Sequence, residues 1–209
     1  MVEELRTESS VVYWCGDRLY LNITNKCSNN CYFCFRNFSN GVYDFNLRLH
    51  SEPSPSEVIE RIQKVIIKKN WIEIVFCGFG EPTMRLDFVL IVTRWLKKYI
   101  NLIIRLNTNG HYFLLNKQRD TVMRLKDAGI SKISISLNGH NEEIYKKICR
   151  PKLENAYESV PLFIKASSEV LDTEVTTVTI PKINLQIVEE KAHEFGASFR
   201  KREYLTPFP

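Results

Sequence analysis

The chain has 209 residues, enough for one domain of ordinary size with little left over. Apolar residues make up 44% and charged residues 25%, and no run of about 18 apolar residues occurs, which excludes a disordered chain and a helical membrane span. The formal net charge of +5 mildly favours acidic partners such as a nucleic acid or an acidic electron carrier, although Lys and Arg spread over solvated helix faces give the same total. The first ten residues include Glu3 and Glu4 and no apolar stretch. They do not read as a secretory signal, so the expected compartment is the cytoplasm, where thiols stay reduced.

Along the chain, strand and helix patterns alternate. Residues 18–24 alternate apolar and polar side chains and read as the first strand. Residues 1–17 form an N-terminal extension on this reading, and 204–209 a short tail. A cysteine-rich loop follows the strand, and residues 37–53 are the one long loop. Residues 54–68 read as a helix, with Ser54 as N-cap and Pro55 in the first turn. Strands are expected at 72–77, 102–106, 132–137, 174–180 and 197–203. Helices are expected at 87–99, 119–128, 141–149, 154–168 and 185–195. Gly129 and Gly196 sit where helices should stop.

Six βα-type units in sequence argue for one domain built on a parallel sheet. Polar and glycine-rich residues gather after the strands, where such folds place their sites: Gly78-Phe79-Gly80-Glu81-Pro82, Asn107-Thr108-Asn109-Gly110 and Asn138-Gly139. Six units are too few for an eight-stranded barrel. Periodicity leaves a curved partial barrel and a doubly wound sheet both open.

Six cysteines in a reducing compartment call for ligands, nucleophiles or buried thiols. Cys27, Cys31 and Cys34 stand together directly after the first strand, spaced C-x3-C-x2-C. Cysteine thiolates bind iron–sulfur clusters, usually four to a cluster. Three leave one iron open, and a catalytic metal needs an open position. A zinc site of three Cys and one His is the rival. His50, His111, His140 and His193 all lie more than four residues from any cysteine, so no local zinc knuckle is present. Cys15 reads as structural. Cys77 ends the second strand, close to the expected site.

The triplet, with Phe33 before its last cysteine, resembles the signature C-x3-C-x-Φ-C of the radical S-adenosylmethionine (radical SAM) enzymes. The resemblance implies a partial (β/α)6 barrel with an open parallel sheet. It also implies one 4Fe-4S cluster held by Cys27, Cys31 and Cys34, with S-adenosylmethionine (SAM) on the open iron. In that family the reduced cluster cleaves SAM to a 5′-deoxyadenosyl radical, which removes hydrogen from a substrate. The segment GFGEP resembles the family's G-G-E-P motif, with Phe79 as an insertion between Gly78 and Gly80. The resemblance assigns Glu81 to the SAM ammonium, and Asn107, Thr108, Ser136 and Asn138 to its carboxylate and ribose. Arg150 is assigned to the carboxylate and Phe33 to the adenine. On their own these residues also read as turn and cap chemistry, a solvated helix-end arginine and a core ring.

Cys149, beside Arg150, is a candidate hydrogen-atom donor. The segments LYLNITNKC, FCGFGEPTMRLD, RLNTNG and SISLNGHNEEIYKKICRP narrow the resemblance to the TatD-associated radical SAM proteins. These are named for a neighbouring TatD-type nuclease, to which a functional link is implied. Reduced flavodoxin or ferredoxin is the implied electron donor. The substrate, small molecule or macromolecule, is not implied. Deazaguanine synthases and activases of glycyl-radical enzymes are the alternatives within the family. Outside it stands a non-catalytic metal-binding module, stacking nucleic-acid bases on Tyr32, Phe33, Phe35 and Phe38.

Overall fold

The computed structural model describes residues 8–116 and 121–204. The N-terminal half contains β1 (Val12–Cys15), β2 (Arg18–Leu21), β3 (Gly41–Val42), β4 (Phe45–Asn46), α1 (Pro55–Ile66), β5 (Glu73–Phe76), α2 (Leu86–Tyr99) and β6 (Ile103–Thr108). The rest comprises α3 (Tyr112–Leu115), α4 (Thr121–Ala128), β7 (Lys132–Ser136), α5 (Glu142–Cys149), α6 (Ala156–Ser168), β8 (Asp172–Val178), α7 (Leu185–Glu194) and β9 (Ser198–Arg202).

Seven strands form one sheet in the order β1-β2-β5-β6-β7-β8-β9. From β2 onward every pairing is parallel. Spatial order follows chain order without the reversal that marks a doubly wound sheet. Strand alternation shows the same architecture. Leu19, Leu21, Ile74, Phe76, Leu106 and Ile133 face a buried core shared with the helices. The opposite set, including Tyr20, Glu73, Arg105, Lys132, Glu174 and Arg200, lines a cavity of about 670 Å³. One apolar face covered by helices and one concave face define a partial barrel. Filled barrels pack branched apolar side chains inside; here the interior is polar.

Local signals explain the elements. Ser54 accepts from the Glu57 N–H, and the Glu57 carboxylate accepts from the Ser54 N–H, a capping box that starts α1 with Pro55 behind it. Asn141 caps α5 by accepting from the Ile144 N–H, and Asn184 caps α7 by accepting from the Gln186 and Ile187 N–H groups. The expected helix at 119–128 begins outside the described residues; α4 runs from Thr121.

Two expectations need revision. The N-terminal extension contains β1, which folds back on β2 through a turn at Gly16 (φ +57°) and covers the sheet edge. The long loop at 37–53 contains the small hairpin β3–β4. The hairpin strands are two residues each, and β1, Val-Tyr-Trp-Cys, shows no apolar–polar alternation; hairpin pairing is set by turn geometry more than by hydrophobic period. Among the described residues no helix is long and apolar enough to cross a membrane.

Candidate cofactor site at the mouth of the half-barrel

Cys27, Cys31 and Cys34 lie on the loop after β2, each partly buried. The loop has little regular structure and is held from outside. Asn25 exchanges side-chain hydrogen bonds with the main chain of Leu49. The Arg36 guanidinium donates to the carbonyls of Asn25, Phe79 and Asn29. The N–H groups of Asn30 and Tyr32 donate to the last turn of α5 and to Arg150. Lys152 donates its Nζ to the Cys27 carbonyl at 3.0 Å. Beneath the loop lies a buried polar network. Ser28 Oγ is 2.9 Å from His111 Nδ1, and His111 Nε2 is 2.6 Å from the Tyr145 hydroxyl. Asn29 donates to that hydroxyl, and Asn109 donates to Ser28. Burial lowers the His111 pKa to about 4 and keeps the ring neutral.

Two N–H donors also point at the Cys27 sulfur. The Asn29 N–H lies 3.5 Å and Asn109 Nδ2 3.7 Å from Cys27 Sγ. Burial, with the nearby Glu81 charge, pushes the Cys27 thiol up to about 11. Burial also raises Cys34, whereas a hydrogen bond from Cys149 lowers Cys31. Among the described residues no three His, Cys, Asp or Glu side chains surround a point that would hold one metal ion. A cubane carries each thiolate on a different iron and needs them spread apart.

The structure brings some of the expected residues together. A small cavity of about 170 Å³ at the carboxyl ends of the strands is lined by Cys27, Cys77, Gly80, Glu81, Asn107, Thr108 and Ser136, among others. Asn107 Oδ1 is buried with no hydrogen-bond partner among the described residues. An orphaned acceptor there suits an ammonium or a hydroxyl, and SAM carries both. The donor set and this acceptor fit a thiolate-bound cluster with SAM beside it.

Several of these and the remaining expected residues also make contacts within the protein. The Glu81 carboxylate is fully buried and already accepts four hydrogen bonds, from the Thr83 N–H and hydroxyl, the Thr108 hydroxyl and the Asn109 N–H. It ties the GFGEP turn to the end of β6, and burial holds its pKa up despite those donors. A side chain at Gly80 would come within 2.4 Å of the Lys26 and Thr24 carbonyls, so this glycine admits the stem of the cysteine loop. Gly78 likewise makes room for Asn22. Phe79, the inserted residue, is buried against Phe35 and joins a satellite cluster with Tyr13 and Leu47. Asn138 accepts from the Val178 N–H and pins β8 to the end of β7.

Arg150 is exposed in a left-handed cap after α5, its guanidinium 5.9 Å from the Tyr32 ring and outside the cavity lining. Phe33 packs edge-on against Tyr32 beside the core. Cys149 is fully buried behind Cys31, its thiol directed at the Asn138 carbonyl. A donor to substrate must reach the cavity, and Cys149 does not line it. Cys15 donates to the Tyr43 hydroxyl on the hairpin, away from the site.

Three groups went unread in the sequence. The Ser28–His111–Tyr145–Asn29 network joins distant segments and had no local signal. Thr176 also lines the small cavity. Arg200 and Arg202 enter it from β9, and their i, i+2 spacing in SFRKR was the available clue.

An open parallel α/β half-barrel with a cysteine loop at its carboxyl mouth defines a cofactor-dependent enzyme architecture. The model of the Radical SAM superfamily matches residues 21–195, and the chain belongs to that family, whose enzymes use a 4Fe-4S cluster and SAM. Among curated relatives, a probable GTP 3′,8-cyclase of Methanocaldococcus jannaschii is 30% identical over 188 residues, 90% of this chain and 58% of that protein. The GTP 3′,8-cyclase of Aquifex aeolicus is 27% identical over 190 residues, 90% of this chain and 56% of that protein. The chain thus spans less than two thirds of either relative. Among solved structures, Streptococcus suis SuiB bound to precursor peptide SuiA matches with a TM-score of 0.68 at 18% identity, covering 93% of this chain and 40% of that one.

Proposed function

We propose that Cys27, Cys31 and Cys34 hold the cluster and that SAM lies between it and the polar interior of the half-barrel. The bound pair supplies reductive cleavage of SAM to a 5′-deoxyadenosyl radical that abstracts hydrogen from substrate. The carrying observation is the convergence on Cys27 of one main-chain and one side-chain N–H, from Asn29 and Asn109, at the cavity that contains the orphaned Asn107 oxygen. In this reading the N–H donors stabilise thiolate charge and Asn107 accepts from SAM. Glu81 orients Asn109 and Thr108 rather than binding the cofactor. Exposed basic residues near the loop, Lys152 and Arg150 among them, suit an acidic donor such as reduced flavodoxin or ferredoxin.

The test is anaerobic reconstitution followed by SAM and dithionite. Wild-type protein should release 5′-deoxyadenosine, and Cys31→Ala should release none. Release by the variant at the wild-type rate would remove the ligand assignment, and no release from reconstituted wild type would remove the function. A second reading follows the relatives named GTP 3′,8-cyclase: GTP is the substrate, and a GTP-derived product should appear in the same assay. The link to a TatD-type nuclease rests on the narrower motif likeness alone.

A further inference from the structure

The concave face of the half-barrel is rich in charge, and its charges do not cancel. On the inner wall Glu73 is shared by Arg18 at 2.7 Å and Arg105 at 2.9 Å. Glu174 accepts from Arg200 at 2.8 Å, and Lys132 turns to Asp172 at 3.2 Å. Arg202 has no carboxylate within salt-bridge distance among the described residues. Among the described residues its side chain makes one hydrogen bond, from Nη2 to the Ser136 hydroxyl at 3.2 Å. The Nε atoms of Arg202 and Arg105 are both buried with no hydrogen-bond partner among the described residues. A buried guanidinium without a counter-ion is costly, and a fold keeps one where a ligand repays the cost.

The position of these groups says which ligand. The small cavity beside Cys27 and the large interior cavity share Asn107, Arg200 and Arg202. Arg105 belongs only to the large one, which contains none of the cysteines. A group held by these arginines therefore lies deeper in the half-barrel than the small cavity, toward the amino ends of the strands, where Arg18, Glu73, Ile103 and Lys132 complete the lining. The volume of about 670 Å³ suits a small molecule.

We propose that Arg105, Arg200 and Arg202 form a subsite for an anionic group of the substrate, a phosphate or a carboxylate, so the molecule from which hydrogen is taken is an acid. The proposal deepens the radical SAM reading and rests on it for the word substrate. Guanidinium forks match both anions through paired N–H donors.

The experiment is calorimetric titration of anaerobic, cluster-loaded protein at fixed ionic strength with inorganic pyrophosphate and, separately, malonate. Each titration is run with and without saturating SAM, in the absence of reductant. At least one anion should bind, and the one that binds says whether the group is phosphate or carboxylate. Arg202→Met should weaken that binding roughly ten- to a hundredfold, as loss of a charge-assisted contact does. It should not lower the thermal midpoint, because no carboxylate is left unpaired. Lys201→Gln, which removes the same charge from an exposed position on β9, should bind like wild type.

Neither anion binding, or equal loss in Lys201→Gln, overturns the proposal. So does competition by SAM, which would assign the arginines to the cofactor's own carboxylate. Release of 5′-deoxyadenosine from the same sample separates the two readings. Cleavage with flat titrations removes this subsite alone, while no cleavage removes the reading beneath it.

Discussion

His111 shows how a single residue supports the site without touching a cofactor. It is fully buried, with Ser28 on one ring nitrogen and Tyr145 on the other. Its folded pKa, about 4, lies below the ordinary value of 6.5. The folded state therefore refuses a proton that the unfolded chain accepts. Stability from this group is complete above pH 6.5 and is lost as pH falls through 6.5 toward 4, by roughly 3 kcal/mol over the window. Urea midpoints should fall across that range in wild type, and His111→Asn should flatten the slope. At this scale the cysteine triplet was legible, because its spacing is local and thiolates have few other uses. The contacts that Glu81 and Arg150 make within the protein were not. Whether a carboxylate meets a ligand or four protein donors depends on segments far away in sequence, and no motif contains them.

At the scale of elements, the strand-and-helix succession could be read because each unit carries its own period and caps. The hairpin β3–β4 could not, being two short strands in a polar loop. Its anchor is Phe79, the residue that interrupts the glycine motif and packs in a cluster with Tyr13, Leu47, Phe35 and Phe45. Arg48 also lies over its ring at 5.7 Å. Phe79→Ala should cost about 3 kcal/mol by cavity formation. Because the cluster is separate from the main core, the loss should be regional. Amide exchange should accelerate over residues 35–47 while β6 and β7 keep their protection, and uniform acceleration would contradict the separation. The departure from the family's motif is thus a structural graft: one ring ties the site's roof to its wall.

Seen as a whole molecule, the sheet has two unlike faces. Period-2 alternation along the strands announced this, but which face would be covered needed the helices and their order. The apolar face joins the main core, and the concave face is lined by polar and charged side chains. Such division leaves the cysteine loop at the margin of the core, where Cys31, Tyr32 and Phe33 pack against it, and the loop is held further by polar bonds to residues 49, 79, 109 and 148–152. Amide exchange of Asn30 and Tyr32 in the iron-free protein should therefore follow the opening of α5, whose carbonyls they bond, and exchange faster than the strands. Exchange as slow as the strands' would show that the loop does not open separately. The lattice beneath the loop has a consequence for assembly in time. Its members are separated by more than eighty residues along the chain, from Ser28 to Asn109, His111 and Tyr145. A nascent chain that has exposed only β1, β2 and the cysteine loop lacks these partners. On the proposed ligand assignment, competence to receive iron would come late in synthesis, once α5 has emerged.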